Sequence, residues 1–246
     1  MDFIAQRSGQ GEPISVITRI AAGGQIQKVA VTETGDYCSS ERSVEFPAEI
    51  IAAARRSIGG RKLASIVETP SEAGEMVTYV IDVIRPKLAL VIFGAGHVGQ
   101  AVALIGALAG YDVTVLDDRE EFLSRSRIPD KQIILTKCDF RDPARDIKLT
   151  RTTAVVIVTR GHQYDEMCLR SVAGSDAGYI GMIGSKRRVF SVFGKLKQDG
   201  VAAEDLELVH APIGLSIGAR SPQEIAVAIV AEVISFLNAG TGDGKV

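Results

Sequence analysis

The chain has 246 residues, 46% of them hydrophobic and 24% charged, and a formal net charge of −2. That is ordinary globular usage, enough for a real core in one large domain or two small ones. The near-neutral balance, the lack of Trp and 5% aromatic content exclude the basic tracts and stacking platforms of nucleic-acid binders.

Met1 to Gly11 is polar, without the apolar centre of a signal peptide, and no later apolar run approaches bilayer length. No membrane partner is therefore expected. Ile14–Ile20 and Gln25–Thr32 alternate as strands around Gly23-Gly24, a hairpin pattern. Pro47 opens a helix through Ala54 that ends near Gly59-Gly60, with Pro at the first turn and Gly after the last. Leu63–Glu68 and Met76–Ile84 read as two more strands. The first domain, a small α+β unit, thus spans 1–85, and Arg85-Pro86-Lys87 marks its end, since proline discourages strand continuation.

From 86 to 246 strand and helix patterns alternate. Leu88–Phe93, Val113–Leu116, Ile133–Leu135, Ala154–Thr159 and Tyr179–Gly184 read as strands. Helices are expected through Ala109 and over Asp165–Val172, Arg187–Asp199 and Pro222–Leu237. Such alternation implies right-handed crossovers, hence an α/β, Rossmann-like, doubly wound parallel sheet.

Gly94-Ala95-Gly96-His97-Val98-Gly99 follows the first of these strands and opens a helix, the context a GxGxxG motif requires. Gly94 permits the tight turn, Gly96 lets a diphosphate approach the backbone, and Gly99 lets helix pack on strand. Asp117 ends the next strand, where an acid binds a ribose hydroxyl; Arg119 beside it would instead suit a 2′-phosphate, so NAD and NADP both stay open. Tyr179–Gly184 runs into Ser185-Lys186-Arg187-Arg188. The glycines of that strand leave room for another backbone or a ligand. Ser185, Lys186 and Arg187 at a helix start suit an anion such as phosphate.

His97 lies in the glycine loop and His162 follows the strand Ala154–Thr159. His210 precedes Ala211-Pro212-Ile213-Gly214. Ligands of open parallel sheets bind beyond the carboxyl ends of the strands, so His97 and His162 should face one crevice. Asp165 is the expected N-cap of the helix after His162; no third ligand lies at a zinc-like spacing, and no metal site is expected. The segment His210–Arg220 reads equally as a cover over the crevice and as a packed connection. Cys38, Cys138 and Cys168 form neither a CxxC pair nor a disulfide framework, which points to a reducing, cytoplasmic setting.

The four segments VIFGAGHVGQA, VTRGHQYDEMCLR, YIGMIGSKRRV and HAPIGLSIGARSPQEIAVAIVAEVI together resemble the XdhC/CoxI family of xanthine dehydrogenase accessory proteins. The resemblance implies a Rossmann-type domain behind a smaller one, in a factor that binds molybdenum cofactor as molybdopterin or its dinucleotide form. It further implies assistance with sulfuration by a cysteine desulfurase, and delivery to a xanthine dehydrogenase-like molybdenum hydroxylase. The glycine loop, Asp117, His162, His210 and the Ser185–Arg187 turn would then face the cofactor. Members of that family usually carry a Gly-Gly-Cys-type segment near the end of the N-terminal hairpin region; this sequence has only Tyr37-Cys38-Ser39-Ser40 there, which leaves the correspondence of Cys38 open. The resemblance favours a non-catalytic carrier; the residues alone also admit an NAD(P)-dependent oxidoreductase or a dinucleotide sensor. The oligomeric state, homo-oligomer included, is not fixed by the sequence.

Overall fold

Period-two alternation drives the first compact unit, which runs to Pro86. A computed structural model describes residues 2–21, 24–35, 37–39, 45–60, 62–70 and 74–239; Gly23 and Ser40 lie outside them, as do the side chains of Cys38 and His162. A short helix α1 (Asp2–Gly9) precedes β1 (Ile14–Ile20), β2 (Ile26–Thr32) and β3 (Tyr37–Ser39); then come α2 (Ala48–Ile58), β4 (Ala64–Pro70) and β5 (Met76–Ile84). The strands form an antiparallel sheet in the order β3-β2-β1-β5-β4. One face meets α2, whose Ile50 and Ala54 pack on Ile17, Val29, Val31, Tyr79 and Ile81. Phe3 and Ile4 of α1, a helix the polar start had not suggested, pack against Ile14, Val16 and Ala30.

The second unit spans Lys87–Ala239. Its elements are β6 (Ala89–Phe93), α3 (His97–Leu108), β7 (Asp112–Asp117), β8 (Ile134–Lys137), β9 (Thr153–Ile157), α4 (His162–Val172) and β10 (Tyr179–Met182). α5 (Lys186–Gln198), α6 (Ala203–Glu207), β11 (Val209–His210) and α7 (Pro222–Ala239) complete it. All six strands are parallel, in the order β11-β10-β9-β6-β7-β8. Numbered from β6 as first, this is the 3-2-1-4-5-6 order of a doubly wound sheet, reversing between β6 and β9.

The central strands are buried on both faces, as their unbroken apolar runs require. Successive side chains point to opposite sides. Leu90 and Ile92 therefore join Val102, Ala103, Ile229 and Val233 of α3 and α7. Val91 and Phe93 join Leu169 and Val172 of α4 and Val189, Val192 and Leu196 of α5. Every helix that follows a strand starts at the carboxyl edge of the sheet, so several helix N-termini converge there.

Candidate functional site

At the end of β6 the chain turns at Gly94, which has φ +112°. A Cβ there would lie 2.5 Å from the carbonyl oxygen of Val158. A Cβ on Gly99 would lie 1.9 Å from the carbonyl oxygen of Gly94, so this position lets α3 press onto the turn. Gly96, the N-cap of α3, differs: a Cβ there would meet nothing within 4 Å. Two glycines close the fold, and the middle one leaves open space over a helix N-terminus, as a diphosphate loop requires.

That space belongs to a cleft of about 520 Å³ at the switch between β6 and β9. Gly96, His97 and Val98 line it from the glycine turn, Arg119 and Phe122 from beyond β7, Thr159 and Arg160 from beyond β9, and Gly184 and Arg188 from beyond β10. Its size is typical of small-molecule sites.

Three guanidinium groups reach the cleft, each paired with a carboxylate. Arg119 donates through Nε and Nη2 to Asp117, both at 2.9 Å, and stacks 3.7 Å from the Phe122 ring centroid. Arg160 grips Asp118 with two bonds of 2.6 and 2.7 Å and donates to the Tyr164 hydroxyl at 2.8 Å. Arg188 pairs with Asp165, whose carboxylate is fully buried and also accepts from Thr159 Oγ1. Planar, paired guanidiniums are pre-organised donors for phosphate.

Asp117 is 1% exposed. Besides Arg119 Nε and Nη2, it accepts from the backbone N–H of Ala95 at 2.7 Å and of Arg119 at 3.0 Å. Those four donors match the acceptor capacity of a carboxylate. Burial opposes ionisation, but the Arg119 guanidinium and the two amides outweigh it and hold the carboxyl down at about 2. A ribose contact through Asp117 would require Arg119 to yield its place.

The Ser185–Arg188 turn is divided among three directions. Ser185 caps α5, its Oγ accepting from the Arg188 N–H at 3.3 Å. Arg188 enters the cleft, Arg187 is exposed, and Lys186 lines a separate groove with Phe190 and Phe193. On a helix, residues two apart leave about 200° from one another, which is why Lys186 and Arg188 serve opposite flanks. Arg188 was the residue hidden in the basic run; the apolar stripe Val189, Val192 and Leu196 is the signal that orients it.

His97 and Gly96 lie at the cleft. The backbone of His162 starts α4 nearby. His210 is elsewhere, in edge strand β11, stacked on Tyr179 at 4.6 Å between ring centroids and edge-on to Phe236. Asp165 is not an N-cap: Gly161 takes that position, α4 begins three residues earlier, and Asp165 turns inward to Arg188. The room above Gly181 is filled by the chain itself, since a Cβ there would lie 2.4 Å from Ile213 Cδ1. Ile213 is buried and its N–H donates to the Met182 carbonyl at 3.0 Å, so this part of the His210–Arg220 segment is a packed connection.

Burial and the carboxylates of Asp117, Asp118 and Asp139 push the Cys138 thiol up to about 12. Burial raises Cys168 further still. Neither has the stabilised thiolate a nucleophile or soft-metal ligand needs. Among the described residues no group of three or more His, Cys, Asp or Glu is placed to hold a metal ion, and no helix is long and apolar enough to cross a membrane.

The family described as XdhC Rossmann domain matches residues 90–233, from β6 into α7. The chain belongs to the XdhC family. The Escherichia coli protein YqeB is 31% identical over 172 residues, 70% of this chain and 31% of YqeB. A Bacillus subtilis protein, named as a probable subunit of xanthine dehydrogenase, is 29% identical over 151 residues, 61% of this chain and 43% of that one. The Escherichia coli molybdenum cofactor insertion chaperone PaoD is 24% identical over 151 residues, covering 61% and 41%. This XdhC-family chain thus spans less than half the length of the curated relatives it matches. A crystal structure of a xanthine dehydrogenase from Bacillus halodurans has the same fold, with TM-score 0.67 and 22% identity over 96% of this chain and 66% of that one.

Proposed function

We propose that this XdhC-family chain is an accessory protein that holds molybdenum cofactor in the β6–β9 cleft and passes it to a xanthine dehydrogenase-like molybdenum hydroxylase. The observation that carries this reading is the open space over Gly96 at the start of α3, facing Arg160 and Arg188. Molybdopterin ends in a phosphate, and its dinucleotide form carries a diphosphate. A helix start favours negative charge through its first-turn amides, and the guanidiniums of Arg160 and Arg188 line the same cleft, held in fixed orientation by Asp118 and Asp165. Phe122, Val158 and Ile183 give apolar walls for a flat pterin ring.

The bound group would supply the redox centre of the receiving enzyme; the residues of this chain bind, orient and shield it. Names of two relatives, a molybdenum cofactor insertion chaperone and a probable subunit of xanthine dehydrogenase, support the partner class. Sulfuration with a cysteine desulfurase and a cytoplasmic setting follow from the same reading. Asp117, being filled by Arg119 and Ala95, acts as a brace of the loop rather than as a ribose ligand, which disfavours NAD.

The test is ligand identification on purified protein. Pterin fluorescence after denaturation and oxidation, or saturable uptake of added molybdopterin that a Gly96→Ser change weakens, is the expected result. Stoichiometric NADPH binding without pterin uptake would overturn the reading.

A further inference from the structure

Helix α5 carries Lys186, Arg187, Arg188, Lys195 and Lys197 and no acidic residue. Arg188 pairs with Asp165 and Lys195 with Glu166, whereas Lys186, Arg187 and Lys197 form no ion pair among the described residues. The buried stripe Val189, Val192 and Leu196 accounts for one face of the helix. Beside it runs a second stripe, Lys186, Phe190, Phe193, Gly194 and Lys197, at spacings that fall on one side of a helix.

This second stripe faces Ala211 and Pro212 across a groove of about 570 Å³. Phe190 is 82% exposed and lines the groove beside half-buried Phe193, so the apolar surface here is shared by neighbouring side chains rather than scattered singly. Gly194 is the telling position. Glycine within a helix weakens it relative to alanine, and a Cβ here would meet nothing within 4 Å. No internal clash requires the glycine; its effect is to deepen the groove.

We propose that this groove docks an acidic segment of the recipient hydroxylase, with an apolar side chain inserted beside Phe190 and over Gly194. Lysines at both ends of the groove select acidic flanks, and its concavity suits an inserted side chain better than a flat lipid surface. The identity of the partner rests on the accessory reading above; the chemistry of the surface does not.

The experiment measures binding of the full chain to the apo form of the xanthine dehydrogenase from its own organism, alongside molybdopterin uptake and thermal unfolding. Phe190→Ser, which removes an exposed ring, should weaken the complex by about tenfold or more. Gly194→Leu should weaken it at least as much while the unfolding temperature stays level or rises. Lys197→Glu should weaken it and flatten its salt dependence. Molybdopterin uptake should be unchanged in all three. Wild-type binding with all three variants within about twofold would remove the groove and leave the accessory reading standing. A wild-type chain that takes up molybdopterin but never binds the enzyme would overturn both. Variants that lose only sedimentation with phosphatidylglycerol vesicles would assign the face to lipid and overturn the proposal.

Discussion

The carboxylate of Asp117, at the end of β7, accepts a hydrogen bond from the backbone N–H of Ala95 at 2.7 Å. This bond ties the glycine turn after β6 to the neighbouring strand, and Arg119 locks it from the other side. Asp117→Asn replaces an acceptor by a group that must present N–H to donors, and should destabilise the domain by about 2–3 kcal/mol. The wild-type carboxyl lies at about 2, below its ordinary 3.8. Its contribution, about 2 kcal/mol by linkage, is whole above pH 4 and is lost as the pH falls toward 2. Urea unfolding at pH 7 and pH 3 should show an acid-sensitive increment in the wild type that the Asn variant lacks.

The three loop glycines should separate in mutagenesis. Gly99→Ala places a methyl group 1.9 Å from the Gly94 carbonyl oxygen and should lower stability by about 3 kcal/mol or prevent folding. Gly96→Ser enters open space and supplies a better helix cap, so the unfolding temperature should hold or rise slightly. Its hydroxyl would occupy the amides intended for phosphate, and molybdopterin affinity should drop about tenfold or more. Equal ligand affinity in Gly96→Ser and wild type would dissociate the turn from binding.

Arg188→Met leaves the buried Asp165 carboxylate without its guanidinium. Removing one member of such a pair destabilises by about 3–5 kcal/mol. Asp165→Asn combined with Arg188→Met should recover much of that loss, while ligand affinity stays low. Chemical denaturation of the two single variants and the double variant gives the coupling directly.

The two described thiols should be inert. With Cys138 raised to about 12 from 9.0, its thiolate fraction at pH 8 falls about a thousandfold. Iodoacetamide at pH 8, followed by peptide mass spectrometry, should leave Cys138 and Cys168 unmodified in the folded chain and modify both in urea. Rapid alkylation of Cys138 without unfolding would contradict its placement.

Much of the fold is legible in local pattern. The apolar runs around Leu90–Phe93 and Ala154–Ile157 mark buried strands, and the spacing of Gly94, Gly96 and Gly99 marks the turn. Short elements such as α1, α6 and β11 carry too few residues to show a period, and their packing partners are distant in sequence. The site was only half legible for the same reason. Arg188 cannot be told from Lys186 and Arg187 until Asp165, 23 residues upstream, is seen beneath it. Asp165 itself has the composition of a cap and is drawn inward by that arginine, while Gly161 takes the helix start. His210 has the sequence neighbours of a crevice residue, yet its strand lies at the sheet edge, and strand order is not written in any one segment.

Lys186 and Arg188 belong to the same helical turn and report to different sides of the protein. Any shift of α5 along or about its axis therefore moves the wall of the cleft and the wall of the groove together. Transplanting α5 as a unit between relatives should carry both surfaces with it, whereas grafting either surface alone would leave the shared turn in the wrong register for the other.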